Sequence, residues 1–272
     1  MTRTAVITIA HGRHAHARRQ ADALALSIEP PDDRILVTMD DPALGALAHP
    51  GTHVLVLAAA PEGLPLARAR NAGAEAAIDR GAEVLIFLDV DCLPGPHLVG
   101  AYAAAATDPT TADRLLSGPV TYLPPAPPDG YDFGTLAALD RPHPARPAPG
   151  PGEVVHGGDP NLFWSLSFAV TAATWRRIGG FSERYVGYGG EDTDFGHTAH
   201  ARGVEMAWVG SARAYHQHHA VESPPVRHVD AILRNGAIFA ERWGWWPMTG
   251  WLDAFVALGL VVRTPDGGYR RA

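Results

Sequence analysis

The chain has 272 residues, of which 46% are hydrophobic and 19% charged, with a formal net charge of −7. That is enough apolar material for one sizeable α/β core, and the acidic balance, with no long Lys/Arg block, disfavours nucleic-acid binding through phosphate contacts. A single cysteine, Cys92, excludes an internal disulfide and fits a reducing cytosol.

Ala5 to Ala10 is β-branched and apolar and breaks at His11-Gly12-Arg13, which predicts a buried first strand and a loop. This run is too short for a signal-peptide core. His16 to Ser27 has helical spacing, Arg34 to Met39 and His53 to Leu57 read as strands, and Pro65 to Arg80 as a helix. Glu83 to Leu88 is almost wholly apolar and stops at Asp89. Strands alternating with helices predict a mainly parallel sheet covered on both faces.

From Pro124 to Pro151 the chain is Pro-rich and has little periodicity, which suits an active-site loop that orders on binding, the reading favoured here, or a disordered insert. Glu191 to Arg202 reads as a helix closed by Gly203. The Trp-rich tail, with Trp243, Trp245, Trp246 and Trp251, is read first as core packing, second as acceptor contact and last as membrane contact. Trp251 to Val262 contains Asp253 and falls short of the ~20 residues that span a bilayer. A cytoplasmic protein without a transmembrane segment is expected.

Two acidic constellations carry chemistry. Asp89-Val90-Asp91 follows a strand, at the end that lines the ligand crevice of open α/β sheets. Two carboxylates there can hold Mn²⁺ or Mg²⁺ and a sugar hydroxyl; the plain alternative is a turn. Gly187-Tyr188-Gly189-Gly190-Glu191-Asp192-Thr193-Asp194 is more specific. Its acids suit a helix N-terminus, but capping does not explain the aromatic and paired glycines before them. Downstream, Tyr215-His216-Gln217-His218-His219 offers imidazoles that share a face at i and i+2 if extended, or meet at i and i+3 in a turn. Either pair can complete a metal site with Asp91, whereas a surface run of histidines is the alternative, as at His11, His14 and His16.

Ile178-Gly179-Gly180-Phe181 through Glu191-Asp192-Thr193-Asp194-Phe195 resembles the C-terminal motif of β-1,4-galactosyltransferase-like enzymes. Arg68-Ala69-Arg70-Asn71-Ala72-Gly73 followed by Phe87-Leu88-Asp89-Val90-Asp91 resembles an upstream block of the same family. The resemblance implies the GT-A fold over residues 1–272, a Rossmann-like nucleotide-binding half (1–118) merged with an acceptor half (161–272) across the Pro-rich loop (119–160). It implies metal-dependent, inverting transfer of a galactose-like hexose from a UDP-sugar to a hydroxyl acceptor. Asp192 is then the catalytic base, with Tyr188, Gly190, Glu191 and Asp194 toward the acceptor. Arg13, Arg68, Asn71, Asp89, Asp91 and Phe163 face the donor. Asp91 and His216 ligate the metal, with His218 ahead of His219 as the third ligand. Retaining polypeptide N-acetylgalactosaminyltransferases share the C-terminal block but usually carry Asn at the position of Asp192, which favours inversion here.

Two departures stand out. Ala10-His11-Gly12-Arg13 replaces a Pro-aromatic-Arg loop, and Phe163 stands where a Tyr hydroxyl restricts the donor sugar, which argues against UDP-galactose as sole donor. Rival readings are a non-catalytic nucleotide-sugar-binding module and a metal-dependent nucleotidyltransferase.

Overall fold

The computed structural model describes residues 2–272. In chain order the elements are β1 (Thr4–Ala10), α1 (His14–Ala25), β2 (Asp33–Met39), β3 (Thr52–Leu57), α2 (Leu66–Asp79), β4 (Val84–Leu88), β5 (Cys92–Pro94) and α3 (Leu98–Thr107). Then follow β6 (Leu115–Ser117), β7 (Val120–Tyr122), β8 (Val154–His156), β9 (Ser167–Thr171), α4 (Ala172–Ile178) and α5 (Glu191–Ala201). The chain closes with β10 (Met206–Val209), β11 (Ala214–His216), α6 (Val229–Trp243), α7 (Thr249–Ala257), β12 (Val261–Arg263) and β13 (Tyr269–Arg271).

The central eight-stranded sheet runs β3-β2-β1-β4-β9-β6-β10-β8. The first four strands are mutually parallel, as the alternating pattern predicts. β9 inserts antiparallel between β4 and β6, β10 is parallel to β6, and β8 closes the far edge antiparallel. The sheet is therefore mixed but mostly parallel.

Both faces are buried, so the inner strands read as continuous apolar runs. Along β1 and β4, Ile7, Leu85 and Phe87 point to a core shared with Ala69 and Ala74 of α2 and with Trp175 and Phe195. Val6, Val84 and Ile86 point to the opposite core, with Leu98 and Tyr102 of α3. The two-residue side-chain period of a strand produces this split. A smaller core, including Ile232, Leu252, Phe255 and Val261, joins α6 and α7 to the β12–β13 hairpin.

The Pro-rich segment is packed rather than open, which corrects the expectation of a loop that orders on binding. A 3₁₀ turn at Phe133–Leu139 seats Leu136 against Leu93, Leu123 and Tyr215. Arg146 is 6% exposed and lies between the rings of Trp164 and Trp208, its guanidinium carbon 5.2 and 5.0 Å from their centroids. The sequence lacks periodicity there because these anchors are single side chains, not a face of an element. Among the described residues, no helix is long and apolar enough to cross a membrane.

Candidate active site

The carboxyl ends of β1, β2 and β4 open on a cleft of about 570 Å³ whose walls include Ala10, Met39 and Asp89. That is where an open parallel sheet places a ligand, because the strand order leaves a crevice there. β4 stays apolar to Leu88. The chain then turns, with the Cys92 N–H donating to the Asp89 carbonyl at 2.8 Å. β5 begins at once and pairs with β11, Cys92 opposite His216.

That register brings an imidazole beside Asp91. Nε2 of His216 and Nε2 of His219 lie 3.5 and 3.4 Å from Asp91 Oδ2. One ligand atom from each of the three residues falls within 4.8 Å of the others. Burial pushes the Asp91 carboxyl up, but His219, His216 and Arg13 outweigh it and hold the group below its ordinary value. Burial also lowers His216 against the pull of Asp91, favouring the neutral ring that ligates metals. His216 stacks on Tyr122 at 4.6 Å.

The opposite wall is the start of α5. Gly190 is its N-cap at φ 90°, and a Cβ on Gly189, at φ 95°, would meet Met248 Sδ at 2.7 Å. Only glycine fits both positions without strain. Buried Asn235 on α6 holds this loop, its amide donating to the carbonyls of Gly189 at 2.8 Å and Val186 at 3.2 Å. Asp192 Oδ1 accepts from the Thr193 N–H at 2.7 Å. Tyr188 is 40% exposed, stacks on His228 at 4.7 Å and faces Trp251 at 5.7 Å.

Arg70 joins the two walls. Its Nη2 is 3.2 Å from Asp89 Oδ1 and its Nη1 is 3.3 Å from Glu191 Oε1, with the residue 4% exposed. Burial lifts Asp89 to about 6 despite Arg70. Burial and the neighbouring Asp192 charge raise Glu191, and burial raises Asp192 against the hydrogen bond from Thr193.

Of the residues singled out from the sequence, Arg13, Asp89, Asp91, Tyr188, Gly190, Glu191 and Asp192 line the cleft. Five do not. Phe163, expected at the donor, is fully buried in the aromatic core, 5.0 Å from Phe168 and 5.5 Å from Phe195. Trp164, Ser165 and Leu166 form the wall instead. Arg68 is exposed on the outer side of α2. Asn71 holds the Phe181 backbone through both amide atoms, at 2.8 and 2.9 Å, and so braces a loop rather than a ligand. Asp194, expected toward the acceptor, is 1% exposed and accepts from Arg242 at 2.7 Å, Trp243 Nε1 at 2.8 Å and Tyr185 Oη at 3.1 Å. His218 is exposed, and its backbone N–H donates to Tyr131 Oη. β11 ends at His216, so the chain curls and the i, i+3 pair converges, not the i, i+2 pair of an extended strand.

Sequence reasoning passed over Arg70, His11 and Trp164. Arg70 carried a signal, since it falls in the buried stripe of α2 with Ala67, Ala74 and Ala77, where a lone arginine needs partners. His11 lines the cleft, its Nδ1 2.7 Å from the Met39 carbonyl. Trp251 joins it in the cleft wall.

Residues 161–220 match the family model described as the N-terminal domain of galactosyltransferase. Validoxylamine A glucosyltransferases of Streptomyces hygroscopicus subsp. jinggangensis (strain 5008) and subsp. limoneus are each 30% identical over 197 residues, covering 63% of this chain and 45% and 42% of theirs. The chain thus spans less than half the length of these curated relatives. A structure of GalNAc-T7 with UDP, GalNAc and Mn²⁺ superposes with TM-score 0.58 at 16% identity, over 89% of this chain and 50% of that one. Staphylococcus aureus TarS 1-349 gives TM-score 0.56 at 12% identity, over 87% of this chain and 65% of that one. At such identity the likeness is one of fold, the GT-A fold of glycosyltransferases. That fold, and the match of residues 161–220, are what this chain shares with these proteins.

Proposed function

We propose that this chain transfers a hexose from a UDP-sugar to a hydroxyl acceptor with inversion, aided by a divalent metal ion. The observation that carries the reading is one cleft with Asp89 and Asp91 at a strand end, two histidines on Asp91, and Asp192 on the facing wall. The name of the curated relatives favours a glucosyl over a galactosyl donor. Phe163, buried in the core, has no part in that choice.

The donor set of Asp91, His216 and His219 fits Mn²⁺. One carboxylate and two imidazoles within 4.8 Å of one another suit a borderline divalent ion better than Mg²⁺, which prefers oxygen. When bound, such an ion supplies positive charge against the departing diphosphate. Arg13, on the same wall, takes the diphosphate oxygens in this reading. Asp89, held by Arg70, accepts a donor hydroxyl.

Asp192 takes the proton from the acceptor hydroxyl as that oxygen attacks the anomeric carbon. Burial raises its carboxyl toward working pH, which strengthens it as a base. Tyr188 and Trp251 cover the apolar face of an acceptor ring. Four carboxylates line the cleft against two arginines, Arg13 and Arg70. That balance disfavours an anionic acceptor, since like charges cost affinity. The sequence halves 1–118 and 161–272 then serve mainly donor and acceptor, with His216 and His219 of the second half crossing to the donor side.

The test is UDP release from UDP-glucose, UDP-galactose and UDP-N-acetylglucosamine with Mn²⁺, against EDTA and against Asp192→Asn. Release from one donor, lost under both, is the expected outcome. UDP-sugar binding with no turnover across sugar and polyol acceptors would instead favour a binding module.

A further inference from the structure

We propose that Gln20 is a positioning residue that fixes the Asp89–Cys92 turn and so aims Asp91 at His216 and His219. The proposal rests on the metal reading given above. Gln20 lies on α1, is 3% exposed and does not line the cleft. Its Nε2 donates to the Asp89 carbonyl at 2.6 Å and to the Cys92 carbonyl at 2.9 Å, while its Oε1 accepts from Thr8 Oγ1 on β1 at 2.8 Å.

The orientation of this amide is not arbitrary. Two carbonyls can only accept, so the nitrogen must face them, and the oxygen is left for the hydroxyl. Each N–H serves a different carbonyl, and those two carbonyls bracket Asp91. The Asp91 carbonyl itself accepts from the Gln217 N–H at 2.7 Å, and the Asp89 N–H donates to Leu166 at 3.0 Å. Backbone bonds thus hold the turn from two directions, and Gln20 supplies the third.

The side-chain direction of Asp91 follows from the backbone of that turn, and metal ligands lose affinity when their supports let them drift. No other side chain reaches these carbonyls among the hydrogen bonds of the described residues. A glutamate at position 20 would fill the same volume yet offer the carbonyls no N–H when ionised, which separates hydrogen bonding from packing.

The experiment titrates Mn²⁺ into the full chain and follows the free-ion electron paramagnetic resonance signal, for wild type, Gln20→Met, Gln20→Glu and Thr8→Val. Thermal unfolding of each variant without metal is measured alongside. Gln20→Met is expected to weaken Mn²⁺ binding about 10–100-fold, the range for supports of a metal ligand, and Gln20→Glu at least as much. Thr8→Val, which frees the amide to rotate away from the carbonyls, is expected to show a smaller loss in the same direction. Gln20→Met and Gln20→Glu that bind Mn²⁺ as the wild type does, with only a lowered melting temperature, would overturn the proposal. Where neither Gln20 variant folds, Thr8→Val carries the test, and wild-type affinity there overturns it. A wild-type chain that binds no Mn²⁺ overturns the metal reading and this proposal with it, a result distinct from variants that match a binding wild type.

Discussion

Arg70→Met removes the one cation that Asp89 and Glu191 share, while keeping much of the side-chain stem. At separations of 3.2 and 3.3 Å, a unit-charge pair at an effective dielectric constant of about 20 attracts by roughly 5 kcal/mol. Desolvation of a guanidinium only 4% exposed cancels much of that gain. Breaking a buried pair nevertheless strands its partners, at a cost of about 3–5 kcal/mol. The variant should therefore lose about 3–5 kcal/mol of stability near pH 8.

The sign with pH follows from burial. Asp89 already stands at about 6 with Arg70 present, and without it both carboxyls rise further. The folded variant then holds protons that the unfolded chain, titrating at about 4, gives up. Stability from those protonated forms is complete below the unfolded values and is lost as pH rises through the folded ones, from about 6 upward. The deficit against wild type should be largest near pH 8 and shrink toward pH 5. Urea unfolding followed by circular dichroism across that range measures it. A loss no larger than that of an exposed pair, about 0–1 kcal/mol, or a deficit that ignores pH, would refute the reasoning.

Asp192→Asn should lower kcat about 10²–10⁴-fold, the usual worth of a general base, with UDP-sugar affinity by calorimetry nearly unchanged; equal loss of donor binding would sink the assignment. Because burial raises the Asp192 carboxyl and the base works ionised, kcat should rise with pH through that raised value. A profile flat down to the ordinary carboxylate range would contradict it. His219→Ala should weaken Mn²⁺ binding while His218→Ala leaves it unchanged, read by the same metal titration; the reverse ranking would restore the i, i+2 pair. Asp194→Asn should cost about 1–3 kcal/mol by weakening the hydrogen bonds that Arg242, Trp243 and Tyr185 make to a buried carboxylate, since Arg242 itself stays in reach of water, seen as a lower melting temperature. A change confined to acceptor KM would return Asp194 to the acceptor site.

Much of the frame was legible because it is local. The strands β1, β2, β3 and β4 announce themselves as β-branched or apolar runs, and α2 and α5 as helices bounded by glycine, within a residue or two of their ends. The acids after β4 and at the start of α5 lie where strand ends and helix N-termini put them in any fold of this class. Arg70 was legible in principle, since the phase of α2 places it inside and Arg68 outside.

What the sequence by itself determined, then, was the alternation of elements and the two acidic motifs, since period and end chemistry are properties of neighbouring residues. Tertiary structure alone decided which polar groups face the cleft. The choice of His219 over His218 depends on where β11 leaves β5 and the chain curls. The burial of Phe163 depends on β9 running antiparallel to β4, which brings Phe168 into the core beside it. The withdrawal of Asp194 depends on Arg242 and Trp243, some fifty residues on. Each is set by a long-range pairing that turns a side chain toward ligand or core, and no short stretch of sequence contains both partners.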